Sequence, residues 1–231
     1  MASTPPTEEA FLREVDDELR REQIQKMWKR YGVIAAVVIG LLLAGLAGFL
    51  FWRSQTAKQS EAQSETLSAA IADIQARRIT DAGKKVETLI ATGRPGYRVA
   101  ALFTKAALAA DKGDAKGAAA IYARIAADED VAPPYRDIAT IRQTLIEYDG
   151  LAPEQLIDRL KPITIEGNAF FGTAGELTAI ALLRSNRPAE ARSLLAAIAR
   201  DPKAPASLRA RAERLATSLG ADLNAKPADK D

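Results

Sequence analysis

Residues 33–52 form an unbroken apolar run, from Val33 to Trp52. An α-helix rises about 1.5 Å per residue, so a run of this length extends roughly 30 Å, the thickness of a bilayer's hydrocarbon core. Lys29 and Arg30 precede the run and Arg53 follows it. A buried helix of a globular protein seldom lacks a polar face over such a length. The sequence therefore predicts one transmembrane helix, over residues 31–53.

Basic residues flank this span unequally. The thirty residues before it contain six Lys and Arg, and the twenty after it contain only Arg53 and Lys58. Because basic flanks stay in the cytoplasm, the N-terminus is predicted to be cytoplasmic and the chain from Arg53 onward to lie outside. A cleaved signal peptide would have a shorter apolar core and a small-x-small cleavage site. The stretch after Trp52 is a poor cleavage site, which favours an uncleaved signal-anchor.

Small residues recur every four positions within the span and so share one face of the predicted helix. Such a stripe lets a second membrane helix approach closely. The alternative is that Ala and Gly are simply frequent in this chain, and the pattern alone does not decide between the two. We refer to these positions as the small-residue stripe: Gly32, Ala36, Gly40, Ala44 and Gly48.

Composition excludes several kinds of chemistry. The 231 residues include no Cys and no His, which removes disulfides, thiolate nucleophiles and the Ser-His-Asp arrangement. The formal net charge of +2 gives no electrostatic case for nucleic-acid binding. The carboxylate runs 16–18 and 128–130 are interpreted as solvated surface, and Gly113–Gly117 as a hairpin turn. We expect a non-enzymatic binding protein with no cofactor, no metal and no small-molecule substrate.

After Arg53 the periodicity and the Gly/Pro breaks predict helices alone. The domain boundaries expected from this pattern are a charged cytoplasmic segment over 1–30, the signal-anchor over 31–53, a helical domain over 54–219 and a disordered tail over 220–231. Nine helices are predicted in the domain, at about 55–77, 80–91, 97–112, 115–128, 135–148, 154–161, 169–184, 189–200 and 206–219.

These helices form pairs that resemble tetratricopeptide (TPR) repeats. The clearest unit runs from Leu102 through Gly113 to Ile125, with a small Ala118 at the expected position of the second helix. A second match places Ala191 there, 73 residues later, which is about two periods of 36. The predicted fold is all-α: a single N-terminal transmembrane helix followed by a TPR-like α-solenoid of about four helical hairpins plus a capping helix. A plain helical bundle is the alternative.

In TPR-like arrays the first helices of successive hairpins line a concave face where ligands usually lie. Phe103 is the expected aromatic anchor of a bound peptide, although its ring could instead pack between helices. The positions predicted to form this partner-binding groove are Ala100, Phe103, Ala107, Ala110, Asp137, Thr140, Thr144, Thr173, Glu176 and Ile180.

The order of segments resembles one family in particular, the membrane-anchored TPR-like proteins of Gram-negative bacteria described as ancillary subunits of the Sec translocon. The resemblance lies in the charged N-terminal helix, the Trp28–Gly32 entry, the span that closes on Phe51–Arg53, and the degenerate repeats. It implies an inner-membrane location, a periplasmic domain, and a role as scaffold or chaperone adaptor. The implied partners are Sec translocon subunits and a membrane-anchored, peptidyl-prolyl-isomerase-like chaperone. An envelope-assembly or cell-division scaffold unrelated to Sec is the alternative.

Overall fold

A computed structural model describes the backbone of residues 6–222 and the side chains of residues 27–34 and 36–222. The start of the predicted cytoplasmic segment and residues 223–231 of the predicted tail lie outside these ranges. The chain divides into two units, of which one ends at Glu61 and the other begins at Ala62.

The first helix, α1, spans Pro6–Gln75, which is 70 residues. The sequence prediction was wrong in beginning a new helix near residue 55, because α1 continues through that point. Residues 8–75 contain no proline, and isolated glycines do not end a helix when apolar neighbours favour it. The most apolar stretch of α1 has a mean hydropathy of 2.7 and is not buried within the protein. By length and composition α1 can therefore cross a membrane.

Eight further helices follow α1 in the described chain. Four of them have a proline at one of their first two positions. Proline is tolerated there because the backbone N–H that it lacks would have no acceptor within the helix. The sequence prediction treated these prolines as turns and so began the same helices one or two residues late. The helices are α2 (Ile79–Thr92), α3 (Pro95–Asp111), α4 (Ala115–Ala127), α5 (Pro133–Glu147), α6 (Pro153–Leu160), α7 (Phe171–Arg184), α8 (Pro188–Arg200) and α9 (Ala206–Ser218).

The second unit stacks these helices as four hairpins and a capping helix, as predicted. The end of α1 packs on α2 through Ala70 and Leu89. The other hairpins pair α3 with α4, α5 with α6, and α7 with α8, and α9 packs on the last of them. Each apolar cluster joins a hairpin to the next helix along the chain: the cluster around Tyr122 links α3, α4 and α5, for example. Stability in such an array comes from contacts between neighbours.

Small residues allow neighbouring helices to pack closely. Ala118 and Ala191, the two repeat-matching alanines, are both completely buried. On α7, a Cβ added at Gly175 would lie 2.8 Å from Ile198 Cδ1, and one at Gly172 would lie 2.5 Å from Leu208 Cδ2. The backbone of α7 therefore packs directly against the side chains of α8 and α9.

An ionic cluster closes the first hairpin. Asp73 on α1 is 5% exposed, and its carboxylate accepts hydrogen bonds from Lys85 on α2 and from Arg78 in the intervening turn, at 2.5 Å from Arg78 Nη2. These bonds, with that from Lys85 contributing most, hold the pKa of Asp73 below its ordinary value of 3.8. The contribution of this cluster to the free energy of unfolding is therefore present above the unfolded-state pKa and lost as pH falls through the folded-state pKa.

We expect Asp73→Asn to lower the urea midpoint at pH 7, and the difference from the unsubstituted protein to shrink below about pH 4. The control is Asp81→Asn, which removes an exposed carboxylate 3.7 Å from Lys84 Nζ and should change the midpoint little at either pH. An Asp73→Asn deficit of equal size at pH 7 and pH 3 would contradict the assignment.

Candidate protein-binding face

Exposed apolar side chains follow the first helices of the hairpins. In the described chain from Ala62 onward, the large apolar residues that are exposed on helices lie on α1, α5, α7 and α9, and α2, α4, α6 and α8 have none. The exposed Ile165 lies in the α6–α7 loop instead. Helix α9 follows the fourth hairpin, at the position that the first helix of a fifth hairpin would occupy. We call the exposed side of α1 (from Ala62), α3, α5, α7 and α9 the first-helix face; its large apolar members are Ile71, Tyr135, Leu145, Ile180, Leu183 and Leu215.

On α3 the predicted groove positions lie on the exposed side of the helix. Ala107 and Ala110 are exposed and Ala100 is half-buried. Phe103 is half-buried at the edge of this side, and its ring centroid lies 5.7 Å from that of Tyr122 on α4. Phe103 therefore packs against the cluster that joins α3, α4 and α5. The burial around these rings also raises the pKa of the Tyr122 hydroxyl.

On α5 the structure corrects the predicted register. Thr144 is completely buried and its hydroxyl donates to the Thr140 carbonyl at 2.7 Å, so it cannot line an open groove. The half-buried Thr140 donates in the same way to the carbonyl of Arg136, and half-buried Asp137 accepts a bond from Asn168 at 2.8 Å. The exposed side of the helix instead presents Tyr135, Arg142 and Leu145.

The misplacement on α5 has a physical cause. Its core-facing side includes the threonine Thr144, which satisfies its hydroxyl within the helix and so packs like an apolar residue. Its exposed side includes the apolar residue Leu145, which is 48% exposed. Apolar periodicity therefore indicates the opposite orientation to the real one.

On α7 two of the three predicted positions, Thr173 and Ile180, are exposed. The carboxylate of the third, Glu176, is bound by Arg211 of α9, with Nε at 2.5 Å and Nη2 at 2.7 Å. This bidentate contact occupies the Glu176 carboxylate and raises the pKa of Arg211. Glu176 thus fixes the capping helix, and the exposed apolar positions of α7 are Ile180 and Leu183.

Contacts between Tyr148, the residue that follows α5, and α7 hold this part of the face in place. The Tyr148 hydroxyl donates to the Leu177 carbonyl at 3.2 Å, and Arg184 Nη1 donates to the Tyr148 carbonyl at 3.1 Å. The Arg184 guanidinium also lies 5.3 Å from the centroid of the Tyr148 ring. Burial raises the pKa of the Tyr148 hydroxyl, and Arg184 opposes that shift.

In the first unit, the small-residue stripe lies on α1. Ala36, Gly40, Ala44 and Gly48 are exposed, and a Cβ added at Gly40 or Gly48 would meet no atom within 4 Å. Gly32 is half-buried, with an added Cβ 3.5 Å from the Trp28 ring. The stripe is sterically open at its centre.

The residues with described side chains offer no constellation for metal chemistry. Among them, no group of three or more Asp or Glu side chains could hold an ion. Every buried side-chain nitrogen or oxygen in that part of the chain has a hydrogen-bond partner. What the site does present is an extended surface of apolar and polar side chains, which suits protein recognition.

Stacked helical hairpins with an exposed first-helix face define the class of TPR-like solenoids, which generally act as non-catalytic scaffolds for protein–protein interaction. The sequence profile of the tetratricopeptide repeat-like domain matches residues 25–212, and the chain belongs to that family. No curated protein and no solved structure shows significant similarity to the chain.

Proposed function

We propose that this protein is a non-catalytic scaffold of the bacterial inner membrane, whose first-helix face binds partner proteins on the periplasmic side. The observation that carries the proposal is the confinement of exposed large apolar helical residues to the first helices and α9 in the described second unit. Random surface exposure would distribute them over both helices of each hairpin. Exposed apolar side chains that are confined to alternate helices of a solenoid are typical of a binding surface.

The partners we propose are subunits of the Sec translocon and a membrane-anchored periplasmic chaperone, so that the scaffold assists exported proteins. Support comes from the order of segments: a charged N-terminal stretch, one helix apolar enough to span a membrane, and a repeat domain. The family match begins at residue 25 and so includes the apolar stretch together with the repeats.

Crosslinking in native membranes, followed by mass spectrometry, tests these partners. The full-length protein should capture translocon subunits and the chaperone, and Leu145→Glu or Ile180→Glu should reduce their recovery with the fold retained. The control is Ala120→Glu, an exposed position on α4, which should have no effect. Capture of cell-wall or division proteins alone would instead support the envelope-assembly alternative.

The proposed topology predicts the activity of reporter fusions. A reporter enzyme that works only outside the cytoplasm should be active when fused after Asp231, because the basic flank before the span stays in the cytoplasm. The same reporter fused after Lys26 should be inactive. A stable but inactive fusion after Asp231 would refute the proposed orientation.

The small-residue stripe is proposed to contact another membrane helix. Gly40→Ile and Ala44→Ile keep the span apolar, so membrane insertion should be unchanged, while recovery of the membrane partner should fall because the backbones can no longer approach closely. Leu42→Ile, off the stripe, is the matched control. Unchanged co-purification in all three variants would mean that the stripe reflects composition alone.

A further inference from the structure

The first hairpin and α3 line an open surface pocket of about 400 Å³ on the second unit. Its apolar walls come from Ile74 near the end of α1, Ile79 at the start of α2, and Leu108 on α3. Ala107 on the first-helix face also lines it. This volume lies near the lower end of the range for small-ligand pockets, about 300–1,000 Å³, and it is large enough to receive one large side chain.

Two opposite charges also line the pocket. Arg77 lies in the turn after α1, with φ 61°, and Asp111 is the last residue of α3. Both residues are exposed. Within the described chain, no hydrogen bond or ion pair engages either charged group, although the neighbouring Arg78 is bound to Asp73. The pocket thus offers an apolar interior with one available cation and one available anion.

The other polar group of the pocket is already satisfied. The Thr104 hydroxyl donates to the Ala100 carbonyl at 2.9 Å, so it contributes mainly its methyl group to the wall. The recognition chemistry of the pocket is therefore apolar contact together with the two charges. A ligand complementary to it has an apolar group between an acid and a base.

We propose that this pocket binds a partner polypeptide through one large apolar side chain that is flanked by an acidic residue, which pairs with Arg77, and a basic residue, which pairs with Asp111. This inference rests on the proposed scaffold function and names the recognition element at one end of the first-helix face. The apolar residue supplies most of the affinity, and the charge pair selects its neighbours.

The probe is the synthetic peptide acetyl-EAFAK-amide, added to the full-length protein in lipid nanodiscs with ¹³C-labelled Ile and Leu methyl groups. Saturable shifts are expected at the methyls of Ile74, Ile79 and Leu108. EAAAK should bind roughly tenfold or more weakly, because the buried ring is lost. EAFAE and KAFAK should each bind about twofold to fivefold more weakly, since one charge then faces a like charge. These comparisons hold for either direction of the peptide.

Two sets of variants locate the binding. Ala107→Phe should fill the pocket and abolish the shifts, whereas Ala110→Phe, an exposed alanine on the same helix outside the pocket, should not. Arg77→Glu and Asp111→Arg are surface changes that keep the fold. Each should weaken EAFAK binding about twofold to fivefold, and the double variant should restore it because the peptide can bind in reverse.

The proposal is overturned if EAFAK produces no shifts at these methyls, if EAAAK binds equally well, or if the double variant fails to recover binding. Methyl shifts that follow protein concentration without peptide would instead assign the pocket to a second copy of this chain, which also overturns it. Partner crosslinking with the Leu145→Glu and Ile180→Glu variants is a separate measurement. The proposed scaffold function can therefore stand when the pocket assignment fails.

Discussion

Replacing Leu195 with alanine is expected to lower the free energy of unfolding of the repeat domain by about 2–5 kcal/mol. Leu195 on α8 is 1% exposed and belongs to the apolar cluster shared by α7, α8 and α9. Truncation removes buried methyl groups and leaves a cavity that the surrounding helices can fill only partly. Urea unfolding followed by circular dichroism measures the loss.

The solenoid architecture makes the expected loss local as well as large. Each hairpin contacts only its neighbours, so weakening the last one should open α7–α9 before the rest. Amide hydrogen exchange should accelerate in α7–α9 and stay unchanged in α3 and α4. The control is Leu145→Ala, since Leu145 is 48% exposed and its truncation should change stability little. If Leu195→Ala and Leu145→Ala lowered the free energy of unfolding equally, the assigned orientation of α8 or of α5 would be wrong.

Helix positions in the repeat domain were predictable because the sequence contains many residues that mark turns and helix ends. Gly113, with φ 83°, lies in the α3–α4 turn in a conformation that suits glycine, and the Asp114 side chain caps α4 by accepting a hydrogen bond from the Gly117 amide. Prolines open α3, α5, α6 and α8. The pairing of the helices followed from short turns and from alanines at the helix crossings, both of which are visible as sequence patterns.

Orientation of individual helices was harder to predict, as α5 shows. On α3 and α7 the small and apolar residues of the core recur regularly, and Ala107, Thr173 and Ile180 among the predicted groove positions are exposed. On α5 the buried Thr144 and the exposed Leu145 reverse the expected pattern. The pocket beside Ala107 was not predictable, because it depends on how α1, α2 and α3 meet in three dimensions.

The role of Phe103 is settled by separating stability from binding. We expect Phe103→Ala to lower the free energy of unfolding by about 3 kcal/mol, because its ring packs on Tyr122 at the edge of the α3–α4–α5 cluster. Phe103→Leu keeps most of the apolar volume and should lose about 0.5–1.5 kcal/mol, the value of the aromatic pair.

Partner crosslinking with the same two variants completes the test. If Phe103 is part of the core, Phe103→Leu retains partner recovery, and Phe103→Ala reduces it only in proportion to the unfolded fraction. Stability unchanged in Phe103→Ala, together with lost partner recovery, would make Phe103 the aromatic anchor of the groove after all. That result would extend the binding surface from Ala107 across the half-buried edge of α3 and onto Tyr122 of α4.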